Sequence, residues 1–243
     1  IYIATPFSYK AAKWLNDNNI KIIKIGSGEC NNIPFIKYVC SFKKPMIIST
    51  GMNSLETVKK TVKIIKRHKI PHALLHCVNL YPVDYKYIRL NRLNKMIRIF
   101  NSSIIGYSDH SIGNTIPIAA LTLGAKIIEK HFVINKNRKG PDVICSMDKT
   151  ELKDLLIAST NIHEAFNSDK ETIDKEDTTR KFAFHSVVSK KNINKNEVLS
   201  WKNLTTKRPG TGDFPSYKIY SLIGRKAKKY IKKNHLIKKK HIK

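Results

Sequence analysis

Residues 103–132 read SIIGYSDHSIGNTIPIAALTLGAKIIEKHF, and the architecture of the first part of the chain can be predicted from them. The two ends of this segment, SIIGYSD (103–109) and KIIEKHF (126–132), are short runs that are apolar on both faces. Such runs are typical of parallel strands that are buried on two sides. The segment NTIPIAALTLGA between them fits a helix, so the whole stretch predicts one βαβ unit.

The same strand–helix pattern recurs toward the N-terminus, six times in all, at spacings of roughly 20–30 residues. Ser54 is predicted to cap the helix of SLETVKKTVKIIKRHK, because a Ser hydroxyl can accept the N–H groups of a first turn. The alternation predicts a parallel α/β sheet, either an open doubly wound sheet or most of a (β/α)₈ TIM barrel whose first two βα units are missing. The other predicted strands are IYIATPF (1–7), KIIKIGS (21–27), PMIISTG (45–51) and HALLHCV (72–78).

Nearly every predicted strand ends in polar residues, and this favours the barrel. An open sheet places its ligand at one switch point, whereas all strands of a barrel end at one mouth. The mouth of the barrel is therefore the predicted functional site. Its predicted polar residues are Thr5, Ser27, Glu29, Ser49, Thr50, His76, Asn79, Ser108, Asp109, His110, Glu129 and His131.

The pattern of the sequence changes after residue 166, where the alternation of strand-like and helical segments ends. We predict a partial barrel domain at 1–166, a polar linker at 167–181 and a small β-rich domain at 182–243, with strand-like runs AFHSVV and SLIGRKA. This last region carries 17 Lys or Arg residues against 2 acidic ones, a formal charge of +15.

Composition limits the classes of protein that the chain can belong to. Hydrophobic residues make up 41% of the 243 residues, which is enough for a packed core. No apolar run approaches the roughly 18–20 residues that cross a bilayer, and IYIATPFS has no signal-peptide pattern. The cysteines lie far apart without a CxxC pair, which predicts reduced thiols in a cytoplasmic protein. The chain does not begin with Met, so we expect that an N-terminal piece is missing.

The net charge of +28 raises the alternative of a basic nucleic-acid-binding protein. The lysines are interspersed with Ile and Asn throughout, and no interleaving of aromatic residues with Arg marks a surface on which bases stack. Solvated lysine faces are the favoured interpretation, and a nucleic-acid partner is the alternative.

A metal site is predicted where two neighbouring strands end in histidine. Adjacent parallel strands lie about 4.8 Å apart, so His110 and His131 can meet on one divalent ion. Asp109 and Glu129 are candidates for further ligands or for groups that orient the imidazoles. The alternative is that the two histidines are only polar caps on the rim of the barrel.

A phosphate site is predicted around Lys24. A lysine between isoleucines in a strand that is buried on two sides is costly unless it meets an anion, although it can also extend to the rim. Gly26 and Gly28 flank Ser27 and let backbone N–H groups approach a phosphate. Asp142 either binds substrate hydroxyls or caps a turn, and Arg208 is predicted to lie on an exposed loop.

Eight motifs, in order along nearly the whole chain, resemble those of N-acetylneuraminate (sialic acid) synthases. They are ATPFS, KIGSGECNNIPFI, KPMIISTGMNSLE, LLHCVNLYP, IIGYSDHS, IIEKHF, GPDVICSM and KRPGTGDF. The resemblance implies a (β/α)₈ barrel followed by a small antifreeze-like (SAF) domain, in a domain-swapped homodimer. It also implies that phosphoenolpyruvate condenses with N-acetylmannosamine, giving N-acetylneuraminate and phosphate, with Mn²⁺ or Mg²⁺ as cofactor.

The resemblance assigns a role to each motif residue. Lys24, Glu29 and His131 are implied to be catalytic, and His110 and His131 are the implied metal ligands. Related synthases make legionaminic or pseudaminic acid, so these products are alternatives, as is an inactive remnant of the enzyme. The implied substrate-binding residues are Thr5, Lys24 and Ser27 for phosphate, Ser49, Asn79 and Ser108 for carboxylate, Tyr81, Glu29 and Asp142 for the sugar, and Arg208 for the N-acetyl group in the partner subunit's barrel.

Overall fold

Short runs of buried Ile, Met and Leu form a parallel sheet in the first part of the chain. A computed structural model describes residues 1–167 and 171–243, which divide into two compact units, 1–168 and 169–243. In the first unit the described residues form five parallel strands in sequential order, so the predicted parallel α/β architecture is confirmed. The strands are β1 (Ile23–Ile25), β2 (Met46–Ser49), β3 (His72–Cys77), β4 (Ile104–Asp109) and β5 (Ile128–Lys130).

The five-stranded sheet is strongly curled. Four steps of about 4.8 Å would separate β1 from β5 by roughly 19 Å in a flat sheet. Nevertheless, Lys24 Nζ on β1 lies 3.1 Å from Glu129 Oε1 on β5. The two edge strands therefore face each other across a common interior, which is the geometry of part of a barrel.

Helices connect the strands and cover the outer face of the sheet. On α3, residues Val58, Thr61, Val62 and Ile65 are buried at the spacing of one helical face. The Ser54 hydroxyl accepts the backbone N–H of Thr57, as predicted. The helices of this unit are α1 (Tyr9–Asp17), α2 (Ile33–Cys40), α3 (Leu55–Arg67), α4 (Tyr85–Ile88), α5 (Leu90–Ile99), α6 (Thr115–Thr122) and α7 (Lys149–Phe166).

The predicted strand at residues 1–7 is reduced to a single parallel bridge between Ala4 and Ile23. The backbone N–H of Lys24 donates to the Ala4 carbonyl over 3.1 Å, but Ile1 and Tyr2 are largely exposed. A segment with a sheet neighbour on one side only gains few ladder hydrogen bonds, so the prediction of a full strand was wrong at this end.

A buried ion pair joins β4 to β5 directly before the two histidines. Asp109 pairs with Lys130 in the strand register, and the carboxylate accepts a hydrogen bond from the ammonium group. Both side chains are fully buried, and Lys130 Nζ also donates to the Ser111 carbonyl over 2.5 Å. The pair fixes the alignment of the two strand ends from which His110 and His131 continue.

The second unit has its own small core and little regular structure. Strands β6 (Ser186–Ser189) and β7 (Leu204–Lys207) pair in an antiparallel way, and isolated bridges complete the fold. The run SLIGRKA was predicted as a strand, but it begins at the end of a 3₁₀ helix and contributes only single bridges. Its core residues are Val187, Ile193, Leu199, Leu204, Ile219, Leu222, Ala227, Ile231 and Ile237.

The predicted linker contains regular structure. A 3₁₀ turn at Asp174–Glu176 leads into α8 (Asp177–Ala183), where Arg180 bonds to Asp177 and Glu176. The linker residues 168–170 lie outside the described part of the chain. None of the helices that the structure describes is both long enough and apolar enough to pass through a bilayer.

Candidate active site

The imidazoles of His110 and His131 lie next to each other where β4 and β5 end. Their ring centroids are 5.4 Å apart. His110 is 5% exposed, and its Nδ1 lies 2.8 Å from the Val78 carbonyl oxygen. A carbonyl only accepts, so Nδ1 carries the proton and Nε2 carries the lone pair. Burial of the imidazole lowers the pKa of His110, and this keeps the ring in the neutral form that binds metals.

Tyr81 covers this histidine pair. Its ring centroid lies 3.9 Å from that of His110 and 5.8 Å from that of His131. The Tyr81 hydroxyl accepts a hydrogen bond of 3.4 Å from Asn79 Nδ2. Two of the predicted substrate-binding residues, Asn79 and Tyr81, therefore stand together beside the predicted metal ligands.

A second group of side chains forms a hydrogen-bonded row across the interior of the curled sheet. Lys24 is 8% exposed and donates to Ser49 Oγ over 2.8 Å. On the opposite side, Glu129 binds the Lys24 ammonium at 3.1 Å and accepts from Ser108 Oγ at 2.7 Å. Glu129 was predicted to lie beside the metal ligands, and here its carboxylate neutralises Lys24 at the mouth of the barrel.

A hydrogen bond between Ser27 and Gly51 connects the loop after β1 to the loop after β2. The Gly51 N–H donates to Ser27 Oγ over 3.1 Å, and Asn53 Nδ2 donates to the carbonyls of Ser27 and Gly51. The Arg92 guanidinium donates to the Asn53 carbonyl over 2.5 Å. Asn53 thus holds Ser27 in place, although it was not predicted as a site residue.

Cys77 lies at the centre of the site, and sequence reasoning missed it. Its Sγ is 3.7 Å from Asn79 Oδ1 and 4.0 Å from His110 Nδ1. Burial raises the pKa of Cys77, while hydrogen bonds from Ser108 and Ser27 and the charge of Lys24 oppose the rise. Its position opposite Ser108 in the β3–β4 register was the available signal, because residues in register share a face of the sheet.

Two polar residues at strand ends face away from the mouth, so their predicted place there was wrong. The Asp109 carboxylate bonds to Lys130 and to Ser111 Oγ at 2.8 Å instead of to an imidazole, so it bears on the histidines only through the alignment of the strands. His76 is fully buried, and its Nε2 bonds to the Ile88 carbonyl at the end of α4. Alternate strand residues point to opposite faces, and these two lie on the helix-covered face.

The roles of all the predicted site residues stay predictions, and four of these residues make their described contacts away from the histidine pair and from the row around Lys24. Thr5 packs beside Gly26, and its Cγ2 lies 3.6 Å from where a Cβ on Gly26 would stand. Glu29 accepts a 2.8 Å hydrogen bond from Asn32 Nδ2 at the start of α2. Asp142 has a left-handed backbone with φ +62°, and its charge contributes to the raised pKa of Tyr81 after burial and Cys77. Arg208 lies in the second unit, 5.6 Å from the centroid of the Phe182 ring.

The histidine pair offers two of the ligands that a metal site would need. Across residues 1–167 and 171–243, no group of three or more His, Cys, Asp or Glu side chains is placed to hold a metal ion. However, two neighbouring imidazoles, with the His110 tautomer fixed by a backbone carbonyl, are the usual arrangement of a pair of histidine ligands. The residues present therefore fit a divalent ion whose remaining ligands are water or substrate.

Two family models match this chain. Residues 1–171 match the NeuB family, and residues 184–243 match the SAF domain. The chain belongs to the NeuB family. The predicted resemblance to sialic acid synthases with a C-terminal SAF domain is thereby confirmed.

Relatives of this NeuB-family chain include synthases of legionaminic and pseudaminic acid. The N,N'-diacetyllegionaminic acid synthase of Campylobacter jejuni is 36% identical over 242 residues, covering 97% of this chain and 71% of the relative. The pseudaminic acid synthase of the same organism is 32% identical, covering 94% of this chain and 66% of the relative. These relatives are named for different products, so the comparison establishes the family and leaves the product open.

A solved structure supports the predicted barrel fold of this NeuB-family chain. The N-acetylneuraminic acid (sialic acid) synthetase from Leptospira borgpetersenii superimposes with a TM-score of 0.68 at 32% identity. The superposition covers 72% of this chain and 62% of that one. The curled five-stranded sheet is thus part of a TIM barrel of the NeuB type.

Gly51→Ala is expected to weaken phosphoenolpyruvate binding by about tenfold or more, a change of roughly 1.4 kcal/mol. A Cβ on Gly51 would stand 1.8 Å from Asn79 Oδ1 and 2.8 Å from Ser27 Oγ, so both predicted ligands must move. Calorimetric titration measures the affinity. Ser102→Ala is the control, because Ser102 is exposed and precedes β4 at the end opposite to the mouth. Equal affinity of the two variants would exclude Ser27 and Asn79 from the binding site.

Proposed function

We propose that this protein condenses phosphoenolpyruvate with N-acetylmannosamine to give N-acetylneuraminate and phosphate. One observation carries the proposal: Lys24, a nearly buried ammonium group, bonds to Ser49 and Glu129 in the interior of the curled sheet, beside the pair His110 and His131. Ser108 donates to the same Glu129 carboxylate. A cationic group with neutral donors suits an anionic substrate, and a histidine pair suits a metal ion.

The anionic substrate is assigned to the row of side chains around Lys24. The phosphate or carboxylate of phosphoenolpyruvate competes with Glu129 for the ammonium group, and the hydroxyls of Ser49 and Ser108 donate to its oxygens. Because the ammonium is shielded from water, its attraction for an anion is stronger than at an exposed surface. Glu129 keeps Lys24 paired whenever no substrate is bound.

A divalent ion is assigned to His110 and His131. When bound, it supplies a Lewis acid that polarises the carbonyl group of the sugar. Of the two predicted ions, Mn²⁺ suits imidazole nitrogen better than Mg²⁺, which prefers oxygen ligands. The Val78 carbonyl holds the His110 ring in the required tautomer, and Tyr81 restricts the access of water to both rings.

In the proposed reaction, C3 of phosphoenolpyruvate forms a bond to the aldehyde carbon of the sugar. Water adds at C2, and phosphate leaves. The side chains of this unit hold both reactants side by side, and proximity of this kind contributes a large share of the rate of a bimolecular reaction. Tyr81, Glu29 and Asp142 are assigned to the sugar. We further propose a homodimer in which Arg208 reaches the partner subunit's barrel and binds the N-acetyl group.

A diacetylated relative of N-acetylmannosamine is the second candidate acceptor, with legionaminic acid as the product. The observation that favours it is the 36% identity to the Campylobacter jejuni synthase over nearly the whole chain. Comparing kcat/KM for the two acceptors decides between them.

The experiment is an assay of phosphate release from phosphoenolpyruvate. We expect release that requires both an acceptor sugar and Mn²⁺, and that stops with a chelator. Lys24→Met should reduce the affinity for phosphoenolpyruvate by about tenfold or more, since it removes a buried charge partner. Lys21→Met, three residues earlier and exposed, is the matched control.

Each outcome of the assay has a distinct meaning. Binding of phosphoenolpyruvate that depends on Lys24, without phosphate release, would contradict turnover by this chain and support the alternative of a catalytically inactive remnant. The absence of both binding and release would overturn the proposed function altogether.

A further inference from the structure

The second unit contains a basic cavity that the proposed reaction does not use. The cavity has a volume of about 320 Å³. Its basic lining consists of Lys229, Lys232, Lys238, Lys240, His235 and His241. Pockets for small molecules start at about 300 Å³, so the cavity suits a compact ligand rather than a long polymer.

A general lysine bias of the chain does not explain this concentration of charge. Residues 1–181 contain 29 Lys or Arg and 16 Asp or Glu, whereas residues 182–243 contain 17 and 2. Within residues 225–243 there are ten Lys or Arg and no acidic residue. A lysine bias alone would leave the proportion of acidic residues similar in both regions. The depletion of carboxylates therefore points to an anionic ligand of residues 182–243.

The two acidic residues of this region are engaged elsewhere. Glu197 pairs with Lys191 and bonds to Asn194 and Asn203. Asp213 accepts the backbone N–H of Lys239 over 2.8 Å. Neither residue lines the cavity, so the lysine ammonium groups there lack a carboxylate from the lining of the cavity itself.

His241 lines the cavity with a ring whose tautomer is fixed by a backbone hydrogen bond. It is 5% exposed, and its Nδ1 accepts the backbone N–H of Lys238 over 3.1 Å. Burial and then the charges of Lys229 and Lys240 lower the pKa of His241, so the ring is neutral at pH 7. A neutral imidazole that accepts at Nδ1 carries its proton on Nε2, which makes that nitrogen a hydrogen-bond donor.

We propose that this cavity binds a compact polyphosphate, either free or as the tail of a nucleotide. Several ammonium groups around a small volume match the clustered charges of a diphosphate or triphosphate. Tyr230 also lines the cavity and is 55% exposed, so its ring offers a face on which a nucleobase can stack. The proposal concerns the second unit alone and does not rest on the proposed condensation reaction.

The test is calorimetric titration of the full chain with tripolyphosphate, at about 150 mM salt so that weak surface attraction is screened. We expect saturable binding that Lys232→Ala with Lys240→Ala weakens by roughly tenfold or more. The matched control is Lys233→Ala with Lys239→Ala. It removes the same charge from the neighbouring positions, which do not line the cavity.

Two further arms separate the sources of the ligand. If a nucleotide is the ligand, ATP binds more tightly than tripolyphosphate, and Tyr230→Ala removes that difference. If free polyphosphate is the ligand, Tyr230→Ala changes neither affinity. Three outcomes would each overturn the proposal. The two double variants could weaken binding equally, neither probe could bind, or single-stranded RNA could bind without being displaced by tripolyphosphate.

Discussion

Asp109→Ala is expected to lower the free energy of unfolding by about 3–5 kcal/mol, because it leaves the buried ammonium of Lys130 without its charge partner. Both side chains are fully buried, so water cannot replace the carboxylate. The Ser111 carbonyl would be the remaining acceptor that the structure gives for Lys130. Denaturant unfolding followed by circular dichroism measures the loss.

A second variant and a control make this result specific to the ion pair. Replacing both residues, by Asp109→Leu with Lys130→Met, should recover most of the loss, since an apolar pair leaves no buried charge. Asp84→Ala breaks the exposed pair with Lys86, whose atoms lie 3.6 Å apart, and should change the stability by less than about 1 kcal/mol. If Asp109→Ala lowers the free energy of unfolding no more than Asp84→Ala does, the stabilising role assigned to the Asp109–Lys130 pair is contradicted.

The parallel sheet and much of the candidate site could be predicted because local rules govern them. Runs that are apolar on both faces mark parallel strands, and their carboxyl ends converge. Lys24, Ser49, Ser108 and the two histidines were found in this way, and the structure brings them to one mouth. The N-cap Ser54 could also be predicted, because a Ser hydroxyl before a helix accepts an N–H group of the first turn.

The sequence-based predictions were wrong where the position of a residue depends on contacts between distant parts of the chain. Successive residues of a strand point to opposite faces of the sheet, so only every second polar residue at a strand end faces the mouth. Asp109 and His76 point to the face that the helices cover. Residues 1–7 have the composition of a strand but form one bridge, because strand formation depends on neighbours. Cys77 resembles an ordinary core residue in sequence, and its place in the site depends on the strand register that pairs it with Ser108.

Replacing His110 or His131 by Ala is expected to weaken Mn²⁺ binding by more than about 100-fold, which exceeds the effect of losing a group that only hydrogen-bonds to a metal ligand and orients it. Their ring centroids lie 5.4 Å apart at the ends of two strands that the Asp109–Lys130 pair holds in register. The electron paramagnetic resonance signal of free Mn²⁺ reports binding without any need for turnover. A chain that titrates Mn²⁺ like the unmodified protein after either change would contradict the metal site.

The half-exposed position of His131 makes His131→Ala the cleaner of the two variants, because His110 is buried and its loss also leaves a cavity. His163→Ala is the matched control: this histidine lies exposed on α7, where its Nε2 is 3.3 Å from Asn167 Nδ2. If Mn²⁺ were held only by scattered surface groups, all three variants would bind it alike. A metal site requires that His163→Ala keeps full affinity while the other two variants lose it.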